Sequence, residues 1–302
     1  MNSTNWKLRF QTASITEKLI AVNVVVFVLF YLLQTLAFLF NWPADFLLEW
    51  LVFPKDPGEF LFKPWSIITY AFLHSGIWHI LSNMLILYFS GMYFLQFFSP
   101  KKLLNFYLLG AIFGALLYML SYNLFPAFSG LGRSYLLGAS AAVMAVLVGV
   151  ATHVPNMGVR LMFLGTIKIW YIAAFLVVLD VIQIPISNPG GHIAHLGGAA
   201  FGYVYAKQLG KGNDFASGFE KLVDWFIGLF SKTSGNSRKS KLKTVHKRKG
   251  GERTAPYARK STQEDIDQAK VDAILDKISK SGYDSLTRQE KDYLFNAGKD
   301  NN

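Results

Sequence analysis

Three groups of polar residues interrupt long apolar stretches of this 302-residue chain. The first is His74, His79 and Asn83 in HSGIWHILSN. The second is Ser140 in LLGASAAVMAVLVGV, and the third is His192 and His195 in GGHIAHLGGAAFG. A serine beside a neutral histidine is the pairing that acyl transfer uses: the imidazole takes the hydroxyl proton while the oxygen attacks a carbonyl carbon. That reaction also needs hydrogen-bond donors where the oxyanion forms. His79 and Asn83 are four apart and share one helical face, from which two donors can project. Each group also has a plainer reading. A serine in an apolar helix packs as a small residue, a histidine caps a carbonyl, and histidines from separate helices converge on a transported metal ion. No carboxylate lies close in sequence to these histidines, and there is no His-Glu-x-x-His. Asp180 is an isolated acid in an apolar run, the kind a proton-coupled carrier uses.

The elements that must position these groups are membrane spans. The chain is 52% hydrophobic and contains 26 Phe, more than a soluble globular protein carries. A span needs about 20 mostly apolar residues. Six candidates fit: 20–40, 77–98, 103–124, 135–151, 169–186 and 190–209. The fourth is short. No small-residue cleavage site follows the first, so it reads as a retained helix. The segment 41–64, with its Trp and Pro among aliphatics, reads as a loop lying on or partly in the bilayer. His195, Gly198 and Gly202 line one face of the sixth candidate. Gly138-Ala139-Ser140-Ala141-Ala142 opens the fourth with an equally small surface. Small residues let two membrane helices approach closely, and if those faces meet, Ser140 and His195 come within hydrogen-bond reach.

Charge is segregated. The net charge of +11 owes most to residues 231–260, which hold eleven Lys or Arg and one acid, Glu252. Beside a membrane domain, that segment fits the cytoplasmic face and anionic lipid, not nucleic acid. Lys7, Arg9, Lys18, Lys101, Lys102, Arg160, Lys168, Lys207 and Lys211 fall on one side of six spans. Only Lys55, Lys63 and Arg133 fall on the other. Both termini are therefore expected in the cytoplasm. Phe215, Phe219, Leu222, Val223, Phe226, Ile227 and Phe230 recur at helical spacing, giving a helix that lies on the inner leaflet or packs on protein. Residues 261–302 read as two short helices. Ser261 with Glu264 and Thr287 with Glu290 form capping boxes, and Gly282 stops the first helix. Such a pair buries little core, so it is expected to dock or self-associate. The absence of cysteine excludes disulfides, thiolate metal sites and a cysteine nucleophile.

In order and position, the three polar groups resemble the signature of the rhomboid family of intramembrane serine proteases. HSGIWHILSN is similar to its His-x4-His-x3-Asn, Gly138 to Ser140 to the first three residues of Gly-x-Ser-Gly, and Ala194 to Gly202 to Ala-His-x2-Gly-x3-Gly. The resemblance covers about residues 19–210. It implies an all-α membrane protein: a six-transmembrane-helix bundle at 19–210 between a cytoplasmic segment 1–18 and an interfacial helix 211–231. A basic disordered linker 232–260 and a cytoplasmic two-helix module 261–302 would follow.

It also implies that Ser140 is the nucleophile and His195 the general base, in a dyad lacking a third carboxylate. His79, Asn83 and the Ser140 backbone N–H would stabilise the oxyanion, with His74, Gly138, Gly198, Gly202 and His192 supporting. Water would enter a cavity above the short fourth helix. No cofactor and no metal are implied, and the substrates would be transmembrane proteins.

Departures from the family pattern stand out. Ala141 replaces the last motif glycine and adds a methyl near the site. Ser66 follows Trp65 where a loop arginine is common, and Leu95-Gln96 stand where an acid often follows the second helix's glycine. Met144 sits where some members stack an aromatic on the catalytic histidine, which would leave His195 less firmly held. Two other functions remain on the sequence: a silent relative that binds membrane clients, and a transporter using Asp180 and the histidines.

Overall fold

The computed structural model describes residues 8–9, 11–43, 45–161, 165–230 and 263–297 of the chain. It forms two compact units, residues 1–235 and 236–302. The basic linker 232–260 and the Ser261 cap lie outside the described residues.

In the larger unit, α1 (Ile15–Leu39) starts at a Ser14–Glu17 capping box, in which the Glu17 carboxylate accepts from the Ser14 N–H at 2.6 Å. The segment expected as a loop contains α2 (Asp45–Leu51), β1 (Phe53–Pro54) and α3 (Pro57–Phe62), and the short α4 (Ser66–Thr69) follows it. Then come α5 (Ile77–Phe94), α6 (Pro100–Leu124), β2 (Tyr135–Leu136) and α7 (Ser140–His153). A hairpin of β3 (Gly158–Leu161) and β4 (Gly165–Lys168) leads to α8 (Ile169–Gln183), α9 (Pro189–Gly210) and α10 (Ser217–Phe230). Among the described residues, α1, α5 and α6 are long and apolar enough to cross a membrane, whereas α7 and α8 are apolar but shorter. Large side chains such as Leu29, Phe175 and Val178 stay exposed on the outside of the bundle, an apolar surface that suits lipid.

The fourth helix differs from expectation. It begins at Ser140, because residues 135–136 pair as a strand with Pro54 and Phe53. The segment is held further by the Lys55 N–H on the Ser134 carbonyl at 3.2 Å and the Gly138 N–H on the Tyr70 carbonyl at 3.0 Å. Ten of the fourteen residues of α7 are buried, so other helices and not lipid enclose it. At 1.5 Å per residue it is about 21 Å long, against about 30 Å of hydrocarbon in a bilayer.

Close approach of α6, α7 and α9 makes that burial possible. A Cβ on Gly198 would collide with the Ala141 carbonyl, and one on Gly202 with the Ala145 backbone. Gly198→Leu is expected to destabilise the bundle by about 1–3 kcal/mol through overpacking, and Gly198→Ala by less, read from thermal unfolding in detergent.

Asn23, a polar residue within the apolar α1, is satisfied. Asn23, fully buried, donates to the Leu19 carbonyl at 2.8 Å and to the Tyr107 hydroxyl at 3.0 Å. At one end of the bundle Lys102 pairs with Asp214 and, at 2.6 Å, with Glu220, while Lys101 reaches Asp224 at 2.6 Å. The Glu220 and Asp224 pairs fasten the charged face of α10 to α6, and Asp214 ties the turn before it, leaving Leu222 and Trp225 exposed. Burial pushes the Asp214 carboxyl up, but hydrogen bonds from Lys102 and Tyr205 outweigh it and hold the group below its ordinary value.

In the smaller unit, α11 (Gln263–Ser281) ends at Gly282, whose φ of +78° favours glycine, and α12 (Arg288–Ala297) follows. Ile274 and Leu286 are its buried apolar residues among those described, so its core is small. Thr287 caps α12 reciprocally with Glu290, and Lys277 binds the same carboxylate at 2.8 Å. Lys277, then Thr287, hold the Glu290 carboxyl down at about 2. A depressed carboxylate contributes stability above its unfolded value, and that stability is lost as pH falls through the folded one. Amide-exchange protection of α12 is therefore expected to persist at pH 5 and to fall between about pH 4.3 and pH 2.

Candidate active site

The N-terminus of α7 opens into a cavity of about 370 Å³ lined by residues of α5, α7, α8 and α9. Ser140 stands at that N-terminus, where the N–H groups of the first turn have no intrahelical acceptor and the helix dipole favours negative charge. The α7–α9 contact through Gly198 brings His195 across: its Nε2 lies 2.6 Å from Ser140 Oγ.

The other face of His195 meets a group that motif spacing does not reveal. Its Nδ1 lies 2.7 Å from Oδ1 of Asp180 on α8, and the same oxygen lies 2.7 Å from Nδ1 of His192. The resemblance implies a dyad with no third carboxylate, whereas the structure places the Asp180 carboxylate against His195. Asp180 is also not the isolated acid that the apolar run suggests. A buried carboxylate persists only with partners, and here two imidazoles supply them. His195, expected to be loosely held beside Met144, has a hydrogen-bond contact to Asp180 at 2.7 Å. Met144 lines the cavity.

His79, on α5, faces the same cavity. Its Nδ1 accepts from the Ser75 N–H at 3.3 Å and lies 3.0 Å from Ser75 Oγ. With Nδ1 accepting, a neutral ring carries its proton on Nε2 as a donor. The ring edge lies against Gly138, where a Cβ would stand 2.8 Å from Nε2. Gly138 also has φ +128°, so both its backbone and its surroundings exclude a side chain. Asn83 lines the cavity but turns its amide onto the His79 carbonyl at 2.8 Å, leaving one N–H.

His74 is buried 5.1 Å, centroid to centroid, from the His79 ring, and neither of its ring nitrogens has a hydrogen-bond partner. Ala141 adds no methyl to the cavity: its Cβ packs where Gly114 of α6 has no side chain. Trp65 donates to the Trp50 carbonyl at 2.8 Å and stacks on that ring, whereas the buried Ser66 hydroxyl has no partner.

Ligand atoms of Asp180, His192 and His195 lie within 4.8 Å of one another, close enough for one metal ion. In the geometry present they satisfy each other at 2.7 Å, and a metal would have to displace both ring protons. What remains is a serine hydroxyl against an imidazole acceptor, with a second imidazole donor across an open cavity. Those groups suffice for nucleophilic attack on a carbonyl and for holding the resulting oxyanion.

Comparison with known proteins agrees with this architecture. The family model of the Rhomboid domain matches residues 62–212, half of the chain, and the chain belongs to the rhomboid family. A second match, to a Family of unknown function (DUF6576), covers residues 258–297. The chain is 34% identical over 158 residues to RHOMBOID-like protein 12, mitochondrial, of Arabidopsis thaliana, covering 49% of this chain and 47% of that protein. It is 23% identical over 201 residues to Rhomboid protease GlpG of Yersinia pestis, covering 66% and 64%. It is also 35% identical over 83 residues to Inactive RHOMBOID-like protein 8 of Arabidopsis thaliana, covering 27% and 23%. The chain thus spans about half the length of the first of these and less than two thirds of the others.

Proposed function

We propose that the chain is an intramembrane serine protease hydrolysing peptide bonds in or near transmembrane segments of membrane proteins. The observation that carries this reading is the 2.6 Å approach of Ser140 Oγ to His195 Nε2 at the mouth of an open cavity. As Oγ bonds to the scissile carbonyl carbon, its proton passes to Nε2. The oxyanion takes hydrogen bonds from His79 Nε2–H, the free Asn83 N–H and the first backbone N–H groups of α7. The C–N bond then breaks as Nε2–H gives its proton to the leaving amine. Water repeats the sequence on the acyl-enzyme, releasing the acid and restoring Ser140.

The setting fits a membrane. In this reading α1, α5, α6, α7, α8 and α9 are the six spans, with both termini in the cytoplasm of a cell whose membrane holds the chain. Water in this reading reaches Ser140 from the outer side, through the cavity at the N-terminus of the short α7. A helical substrate shields its carbonyls by its own hydrogen bonds and must unwind to be cut. The preferred substrates are therefore transmembrane segments broken by Gly or polar residues. No cofactor takes part. Anionic lipid binds the basic segment 232–260, and the C-terminal helices self-associate.

A silent client-binding role has one point in its favour, the inactive relative similar over 83 residues. Against it, serine, histidine and donor are all present and apposed here. A test is cleavage in liposomes of two model single-span substrates. One carries a Gly-rich break, and the other is a continuous Leu-rich helix. The first is expected to be cut and the second spared; failure to cut either, by a folded chain, would favour the silent role.

A further inference from the structure

We propose that Asp180 is a positioning residue of this site: its carboxylate dictates which ring nitrogen of His195 carries the proton, and His192 holds that carboxylate in place. The proposal rests on the Ser140–His195 reading above. A carboxylate at membrane depth is expensive to retain, and Asp180 is 7% exposed in a helix whose other residues, Gln183 at its end apart, are apolar or aromatic. Its Oδ1 stands 2.7 Å from Nδ1 of both histidines. An ionised carboxylate only accepts hydrogen bonds, so both Nδ1 atoms donate. In a neutral imidazole with Nδ1–H, the other nitrogen has a free lone pair. For His195 that nitrogen is Nε2, which faces Ser140 Oγ. The carboxylate therefore selects the one tautomer able to take the serine's proton. It then stabilises the imidazolium that results.

His192 completes the arrangement. It lies three residues before His195 on α9, so both rings leave one face of the helix and converge edge-on, 5.7 Å between centroids. Two donors on a single oxygen fix it from two directions, and Oδ1 cannot swing from His195 without breaking the second bond. His192 touches neither Ser140 nor His79 in any hydrogen bond, so its effect passes through Asp180.

The test uses the full chain in detergent, with Asp180→Asn, Asp180→Glu and His192→Phe. Asp180→Asn is expected to lower kcat by up to about 10⁴-fold, with KM within about twofold and reaction with a fluorophosphonate slowed in parallel. Asp180→Glu recovers part of the loss, and His192→Phe loses about tenfold. Selective 15N-histidine NMR, with His195→Ala to assign the resonance, reads the tautomer directly. His195 carries its proton on Nδ1 in the parent chain and on Nε2 in Asp180→Asn. Equal kcat in parent and Asp180→Asn, or an Nε2–H tautomer of His195 in the parent, overturns the proposal. If Asp180→Asn fails to fold, the parent's tautomer alone decides. If the folded parent neither cuts nor takes the probe, the protease reading fails, while the NMR measurement still judges the role of Asp180.

Discussion

Ser140→Ala is expected to abolish cleavage of a transmembrane substrate, and His195→Ala to do the same. Removing either member of such a pair lowers kcat by about 10⁶ in a soluble serine protease. The reason is that the two act as one unit. Ser140 Oγ and His195 Nε2 share a single hydrogen bond of 2.6 Å, and neither can move the proton without the other. The double substitution is therefore expected to be no slower than either single one, the strongest form of non-additivity between neighbours. Both variants keep the fold, since neither side chain is needed for the α6–α7–α9 contact, which runs through glycine and alanine. Circular dichroism and thermal unfolding check that point, and single-turnover cleavage reads the rate. Additive losses would mean that the two residues act separately.

The second large effect lies across the cavity. His79→Ala is expected to lower kcat by about 10²–10³, or about 2.7–4 kcal/mol of barrier, because it removes an oxyanion donor that acts only in the transition state. KM should change little, since the ground-state carbonyl gains little from that donor. Asn83→Ala is expected to cost only about tenfold, because one amide N–H is already spent on the His79 carbonyl. Ser75→Ala offers an internal check. It leaves His79 in the cavity with the backbone N–H of residue 75 on Nδ1 but removes the 3.0 Å Oγ contact to the same nitrogen, so it should behave as a milder His79 variant. Steady-state kinetics in detergent separates these cases, and a rise in KM at constant kcat would assign His79 to substrate binding.

Much of this site was legible in the chain because its parts are local and chemically distinctive. His79 and Asn83 are one turn apart, and the Gly198–Gly202 stripe announces close packing. The juxtaposition of Ser140 with His195 followed from matching two small surfaces. What was not legible is long-range and lacks a local pattern. Asp180 is 15 residues from His195, on a helix whose other residues are almost all apolar, and only the packing of α8 on α9 brings them together. Hydropathy counted residues 135–139 into the fourth helix, because it cannot see that Tyr135 and Leu136 pair with Pro54 and Phe53 as a strand. The same limit applies to residues 41–64, where two short helices and a strand have no periodicity long enough to read. Ala141 looked like an intrusion on the site in one dimension. In three, its methyl fills the space left by Gly114.

The most direct test of the central claim is intact-mass spectrometry of the purified chain after reaction with a fluorophosphonate, followed by peptide mapping. The account predicts a single adduct, located on Ser140, and none on Ser140→Ala or His195→Ala. A folded chain that takes no adduct, or takes it on another serine, would contradict Ser140 as the nucleophile.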